Sequence, residues 1–209
     1  MIDYEKKAEE NYTRFMEFIS QDSRSEKLKA MYEILHNELI SAPASGKVHY
    51  HNAFPGGYLD HVLRVADTTL QLSSVYKKIG GSIDFTKEEA IFAALHHDLG
   101  KLGHPLEGPY YLEQDSDWHR KRGELYKHND NLSYMSPPDR GLMLLQKYGI
   151  IVTDKEWVSI KLSDGLYDEG NKSYLKNYQP YPLKTVLPRI IHMADYMSSQ
   201  AENDMGRII

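Results

Sequence analysis

The run Ala93-Ala-Leu-His-His-Asp-Leu-Gly-Lys101 constrains this chain more than any other stretch. Ile91, Phe92, Ala93, Ala94 and Leu95 ask for a buried helix, yet His97 and Asp98 follow at its end. Polar groups carried into a core without partners cost roughly 2–7 kcal/mol each. A metal ion would pair with both. The chain has no cysteine, which leaves His, Asp and Glu as its strong ligands, and its ten histidines are the residues to search first.

A length of 209 residues with 41% hydrophobic content suits one substantial core. Helical periodicity dominates it. Tyr4, Ala8, Tyr12, Phe15, Met16 and Ile19 recur at steps of three and four and predict a helix over 4–20. A second is expected over 26–40, closed by Pro43 and Gly46. Gly56-Gly57 turns the chain into a helix over 58–79, in which His61 shares the apolar face of Tyr58 and Val65. Thr86 and Glu89 are spaced as a capping box for a helix over 87–99, and Thr153 and Glu156 as another for a helix reaching Asp164-Gly165. Between them lies a long polar connection, 107–138, helical only over 118–127, followed by helix over 139–148. After the Tyr-, Asn- and Pro-rich stretch 167–182, a last helix begins near Pro188. No alternating strand pattern is seen. The expected fold is all-α: one helical bundle domain over 46–209 with an N-terminal helical extension, 1–45, packed on it.

Three helices then each offer a ligand: His61, the His97-Asp98 pair, and Asp195, one turn after Ile191. Two imidazoles and two carboxylates suit one divalent ion such as Zn, Mn, Fe, Co or Mg. His96 faces about 100° away from His97 and reads as a core residue.

The segments Gly56-Gly-Tyr-Leu-Asp-His61-Val-Leu-Arg-Val, Ala94-Leu-His-His97-Asp98-Leu-Gly-Lys101 and Ile191-His-Met-Ala-Asp195-Tyr resemble the three signatures of the HD superfamily of metal-dependent phosphohydrolases. The resemblance implies an HD-type bundle with His61, His97, Asp98 and Asp195 as metal ligands. It also implies Lys101 as a catalytic group beside the substrate phosphate, while phosphoryl transfer itself, which needs the attacking water held in line, calls on Asp98 or a nearby base for that. Two-metal members carry further histidines where this chain reads Ser136-Pro-Pro-Asp139-Arg140 and Ile160-Lys-Leu-Ser-Asp164-Gly165. One tightly held ion is therefore expected, with Asp164 left as a weak second position.

His51 resembles the histidine that approaches the glycine pair in HD proteins related to a bacterial 3′-5′ exoribonuclease, and is expected to line the substrate site. His104 and His128 lie on the long connection, where a solvated position is the plain reading, and His128 is carried as a substrate contact. Arg120-Lys-Arg122 reads as a solvated charge run on a suspected lid, with a phosphate tail as its alternative partner. The stretch 164–171 is similar to short HD proteins of tailed phages.

The implied activity is hydrolysis of a phosphate ester or anhydride of a nucleotide. A phosphodiesterase or 3′-5′ exonuclease of the same class and a non-catalytic nucleotide-binding scaffold are the alternatives. A formal charge of −5 argues against nucleic acid as the main partner. Neither an apolar leader nor a membrane span is read, so the cytoplasm, a host's if phage-encoded, is the expected compartment, with self-association left open.

Overall fold

The computed structural model describes residues 4–175 and 183–208. The N-terminal helix α1 (Tyr4–Gln21) buries Phe15 and Ile19 and lies against α2 (Ser25–Ile34) and the central helix α4 (Gly57–Lys78). Where one helix is expected over 26–40, the chain instead breaks at Leu35 and resumes as α3 (His36–Ser41). Leu35 sits at φ −93°, ψ 16° and still donates its N–H to Met31, so the break re-aims the axis while Leu35 and Leu39 both stay fully buried.

The core forms where α4 packs against α5 (Lys87–His96) and the last helix α10 (Leu187–Ile208), with α8 (Asp154–Lys161) closing on both α5 and α10. Both capping boxes are present: Thr86 and Glu89 open α5, and Thr153 and Glu156 open α8. The helix α7 (Pro137–Lys147) starts two residues before the expected 139, with Ser136 as its cap and prolines in its first turn, where no N–H is missed.

Two expected helices are shorter than their patterns. The one expected over 87–99 stops at His96, and a 3-10 turn, Leu99–Leu102, follows. The one expected through Asp164 stops at Lys161. The piece expected over 118–127 is helical only as α6 (Asp117–Lys121), after which the chain forms an unexpected strand. Strand β1 (Tyr111–Glu113) pairs antiparallel with β2 (Tyr126–His128), Leu112 facing Lys127. Each strand is three residues long and neither packs a continuous face on the core, so no alternation marks them. Among the described residues the bundle remains all-α apart from this hairpin. Beyond α8 come 3-10 turns and a short α9 (Lys172–Leu175), and the rest of the expected connection, 176–182, lies outside the described residues.

Arg24, at the start of α2, knots these layers together. Its guanidinium bonds Glu156 at 2.8 Å through both Nη atoms, bonds Asp22, donates to the Ile151 carbonyl at 2.9 Å and lies 3.7 Å over the Phe92 ring.

Candidate metal centre

The site is built where α4, the end of α5 and α10 meet. Gly57 starts α4 so close to the preceding loop that a Cβ there would lie 2.1 Å from the Asn52 carbonyl. Asn52 itself takes a left-handed φ of 45° and donates to Asp60 at 3.1 Å. This clamp folds the loop before α4 back over it, and the ring of His51 comes to 4.5 Å from that of His61.

His61 is fully buried on α4, and its Nε2 lies 3.1 Å from Asp195 Oδ1 and 3.8 Å from Asp98 Oδ2. His97 Nε2 lies 3.6 Å from Asp98 Oδ2 and 3.7 Å from Asp195 Oδ1. The structure thus brings together four residues that the sequence spreads from position 61 to 195. Both Nε2 atoms are buried without a hydrogen-bond partner, as is Nε2 of His51. At 3.1 Å the His61 and Asp195 atoms are within reach, but they are not aligned as donor and acceptor; they point at a shared space.

The other ring nitrogens explain why. His97 Nδ1 donates to the Ala94 carbonyl at 2.7 Å, and His61 Nδ1 donates to Glu202 Oε2 at 3.0 Å. Each bond leaves the Nε2 lone pair facing inward, as a ligating imidazole requires. Ligand atoms about 2.1 Å from a common ion, at angles of roughly 90° to 130°, stand about 3.0–3.8 Å apart, and the four histidine–carboxylate separations given above fall in that range. The donor set fits a divalent ion, and His61, His97 and Asp98 can hold one.

Charge leads to the same end. Asp98, Asp195 and the buried Glu202 set three carboxylates against Lys101 and Arg64. Burial disfavours a charged His61, but Glu202 and Asp195 outweigh it and push its pKa up to about 10. His97 is raised likewise, against burial, by Asp98 and Asp195. Burial also opposes ionisation of Asp98 and Asp195. Lys101, His97 and His61 nonetheless hold Asp98 below the usual carboxylate range, and the nearby imidazoles of His61 and His97 hold Asp195 well below it. The pocket calls for positive charge at its centre, and protons supply it where an ion would.

Lys101 is carried in by the 3-10 turn. Its Nζ donates to Asp98 Oδ2 at 2.6 Å and to the Ala44 carbonyl at 2.8 Å. Asp98 and Tyr111 keep it charged despite burial. His51 is driven the other way, down to about 2, by burial and by the positive charge of His61 and Lys101. Asp164 lines the cleft beside Asp195, and burial and the nearby Asp98 raise its pKa. His192 donates from Nδ1 to the Ser163 carbonyl at 2.7 Å, and its ring is so close to Gly165 that a Cβ there would lie 2.3 Å from it.

The remaining candidates lie elsewhere. Asp139 is half exposed and bound by Lys161 at 2.7 Å and Ser136 at 2.8 Å, a helix-capping arrangement outside the ligand cluster. His128, exposed on β2, stacks on Tyr111 with centroids 5.4 Å apart, so only through Tyr111 does it approach Lys101. His104 contacts Lys147 and Glu107 on the surface. His96 stacks on Phe92 and donates to its carbonyl at 2.7 Å, the core position expected for it. Arg120 pairs with Asp117, and Arg122 lies 4.3 Å over Trp118 and 3.8 Å from Glu124, so both cations are already answered.

Glu202 and its partner Arg64, whose Nε donates to Oε1 at 3.0 Å, complete the cluster without being marked by any of the three motif segments' ligand positions. A signal existed: Glu202 follows Asp195 by seven residues, two helical turns, and so shares its face.

Residues 58–141 match the family model described as the HD domain. That span holds His61, His97, Asp98 and Lys101; Asp195 and Glu202 come from beyond it, on α10. No curated protein and no solved structure matched the chain.

Proposed function

We propose, from the match of residues 58–141 to the HD domain and the general character of HD proteins as metal-dependent hydrolases, that the chain is a divalent-metal-dependent phosphohydrolase acting on a phosphate ester or anhydride of a nucleotide. The observation that carries this reading is the convergence of unpartnered Nε2 atoms and carboxylate oxygens on one buried space.

His61, His97, Asp98 and Asp195 are the ligands in this reading, for one ion of the Zn, Mn, Fe, Co or Mg kind. Such an ion polarises a phosphoryl oxygen and acidifies water. The chain's own groups do the rest. Lys101, held by Asp98 and Ala44, is placed to meet an anionic phosphoryl oxygen, which a phosphoryl-transfer site must clamp. Asp98 orients Lys101 and can take the proton of the attacking water. His51, kept neutral with Nε2 open, offers a contact to the substrate rather than a charge. His128 serves at the hairpin edge, and Asp164 is a weak second cation position.

A small phosphorylated molecule is the partner in this reading, with nucleic acid disfavoured by the answered cations of the hairpin. The cytoplasm is the compartment proposed. No helix among the described residues is long and apolar enough to cross a membrane.

Metal analysis of purified protein, joined to phosphate release from a nucleotide panel with Mn, Co, Ni or Mg, tests the proposal. Retained divalent metal and turnover that disappears in His97→Ala and Asp98→Ala are expected. Protein that holds no stoichiometric metal and releases no phosphate with any of the four ions would refute it.

A further inference from the structure

Beside the ligand cluster opens a cleft of about 220 Å³, set between the loop before α4, the turn after α8 and α10. Asp195 and His51 line the cleft and also stand beside His61, so the cleft opens directly off the ligand cluster and can take a group bonded to a phosphate held there. Its walls have an uneven chemistry. Tyr50, Tyr167 and Tyr196 are 53%, 80% and 43% exposed, so the cleft lining carries aromatic side chains that the fold leaves largely uncovered. Gln200 and Asn203 follow Tyr196 by four and seven residues on α10, so all three share one ridge of the helix. Among the described residues, none of the lining side chains is lysine or arginine. The formal charges in the lining are the carboxylates Asp164 and Asp195.

From this wall we infer that the substrate is a nucleoside monophosphate. Its one phosphate sits at the ligand cluster and Lys101, its base stacks on Tyr196 and Tyr50, and the amides of Gln200 and Asn203 face the base edge. The inference rests on the phosphohydrolase reading above and narrows it. A tyrosine face stacks on any base, and an amide side chain carries both a donor and an acceptor for one. A second or third phosphate has no such partner. It needs cations to clamp it, and the cleft lining supplies no lysine or arginine for that. The volume lies below the roughly 300–1,000 Å³ of drug-sized sites, which suits one nucleoside and not a strand.

In the step itself, water attacks phosphorus and the bond from phosphorus to the sugar oxygen breaks. The departing oxygen takes up the proton that the water gives up. Nucleoside and hydrogen phosphate are the products.

The test uses the full chain loaded with Mn²⁺. Initial rates are compared for nucleoside 5′-monophosphates, the matching triphosphates, ribose 5-phosphate and p-nitrophenyl phosphate. Expected is a kcat/KM for a monophosphate at least about tenfold above those for its triphosphate and for ribose 5-phosphate. Tyr196→Ala should raise KM for the monophosphate about tenfold and erase most of its advantage over ribose 5-phosphate, while Tyr196→Phe keeps it. In metal-free protein, calorimetry should detect binding of a free nucleoside that Tyr196→Ala loses and Tyr196→Phe retains. Phosphate release from p-nitrophenyl phosphate or ribose 5-phosphate without a monophosphate preference overturns this inference alone, as does a Tyr196→Ala variant that slows every substrate equally. No release from any of the four classes overturns the phosphohydrolase reading and this inference with it.

Discussion

Replacing Glu202 by glutamine separates a metal centre from a merely buried cluster of charges. Glu202 accepts His61 Nδ1–H at 3.0 Å and Arg64 Nε–H at 3.0 Å, and its side chain is wholly buried. Glutamine keeps the shape, and its carbonyl oxygen can still accept from His61, but the negative charge behind the imidazole is gone. Loss of such a partner behind a ligating histidine typically weakens metal binding by about 10–100-fold. That is ~1.4–2.7 kcal/mol of binding free energy. Arg64, a third exposed, has Asp60 3.8 Å away and water within reach, so the stability cost in the metal-free protein falls mainly on the buried His61 imidazolium that loses its carboxylate. Glu202→Ala removes the acceptor as well, and a buried donor left unpaired adds a stability loss of about 1–3 kcal/mol. The assay is a zinc competition against a chelator, run beside urea unfolding of the metal-free protein. Should Glu202→Gln bind zinc within threefold of the parent while its metal-free stability collapses, the carboxylate would be structural and the reasoning wrong.

Other substitutions test the frame around the site. Arg24→Ala strands Glu156, whose side chain is 1% exposed, and should cost about 3–5 kcal/mol in denaturant titration, whereas Arg24→Met with Glu156→Met should recover most of it. Asp22 is held below its ordinary pKa by its bonds with Arg24, against the pull of burial; its contribution is complete above roughly pH 4 and is lost as pH falls further, so Asp22→Asn should flatten that part of the acid-unfolding curve. Gly100→Ala would set a Cβ 2.1 Å from the Pro137 carbonyl, pushing the 3-10 turn off α7, and should cost about 1–3 kcal/mol while loosening Lys101, seen as a lowered melting temperature and a raised KM.

Periodicity alone carried most of the helices, because each buries a continuous stripe: Phe15 and Ile19, Tyr58 with Val62 and Val65, Phe92 through Leu95 and Ile191 with Ala194 are all in the core. The His61, His97, Asp98 and Asp195 set was legible because polar residues stood on those stripes. What stayed hidden lacked such a contrast. The hairpin is too short to alternate, the break at Leu35 leaves the apolar spacing intact, and Asp139 and Asp164 occupy equivalent motif positions although only Asp164 lines the cleft. Glu202 was concealed for the opposite reason: among exposed polar neighbours at the end of α10, one buried carboxylate does not stand out.

The most consequential departure is where α5 ends. Had the helix run to Leu99, His97 and Asp98 would have projected about 100° apart and addressed different neighbours. Instead His97 keeps helical angles at the cap, while Asp98 turns to φ −108°, ψ 12°, and its carboxylate swings back to 3.6 Å from His97 Nε2. The turn persists because Gly100 and Gly141 let α7 approach it closely, with Gly141 leaving room for Leu99 and the backbone of Gly100. Apolar packing carries the pair to the core, but the early helix end and two glycines make adjacent residues converge. The site therefore depends on α7 as directly as on the helices that bear its ligands.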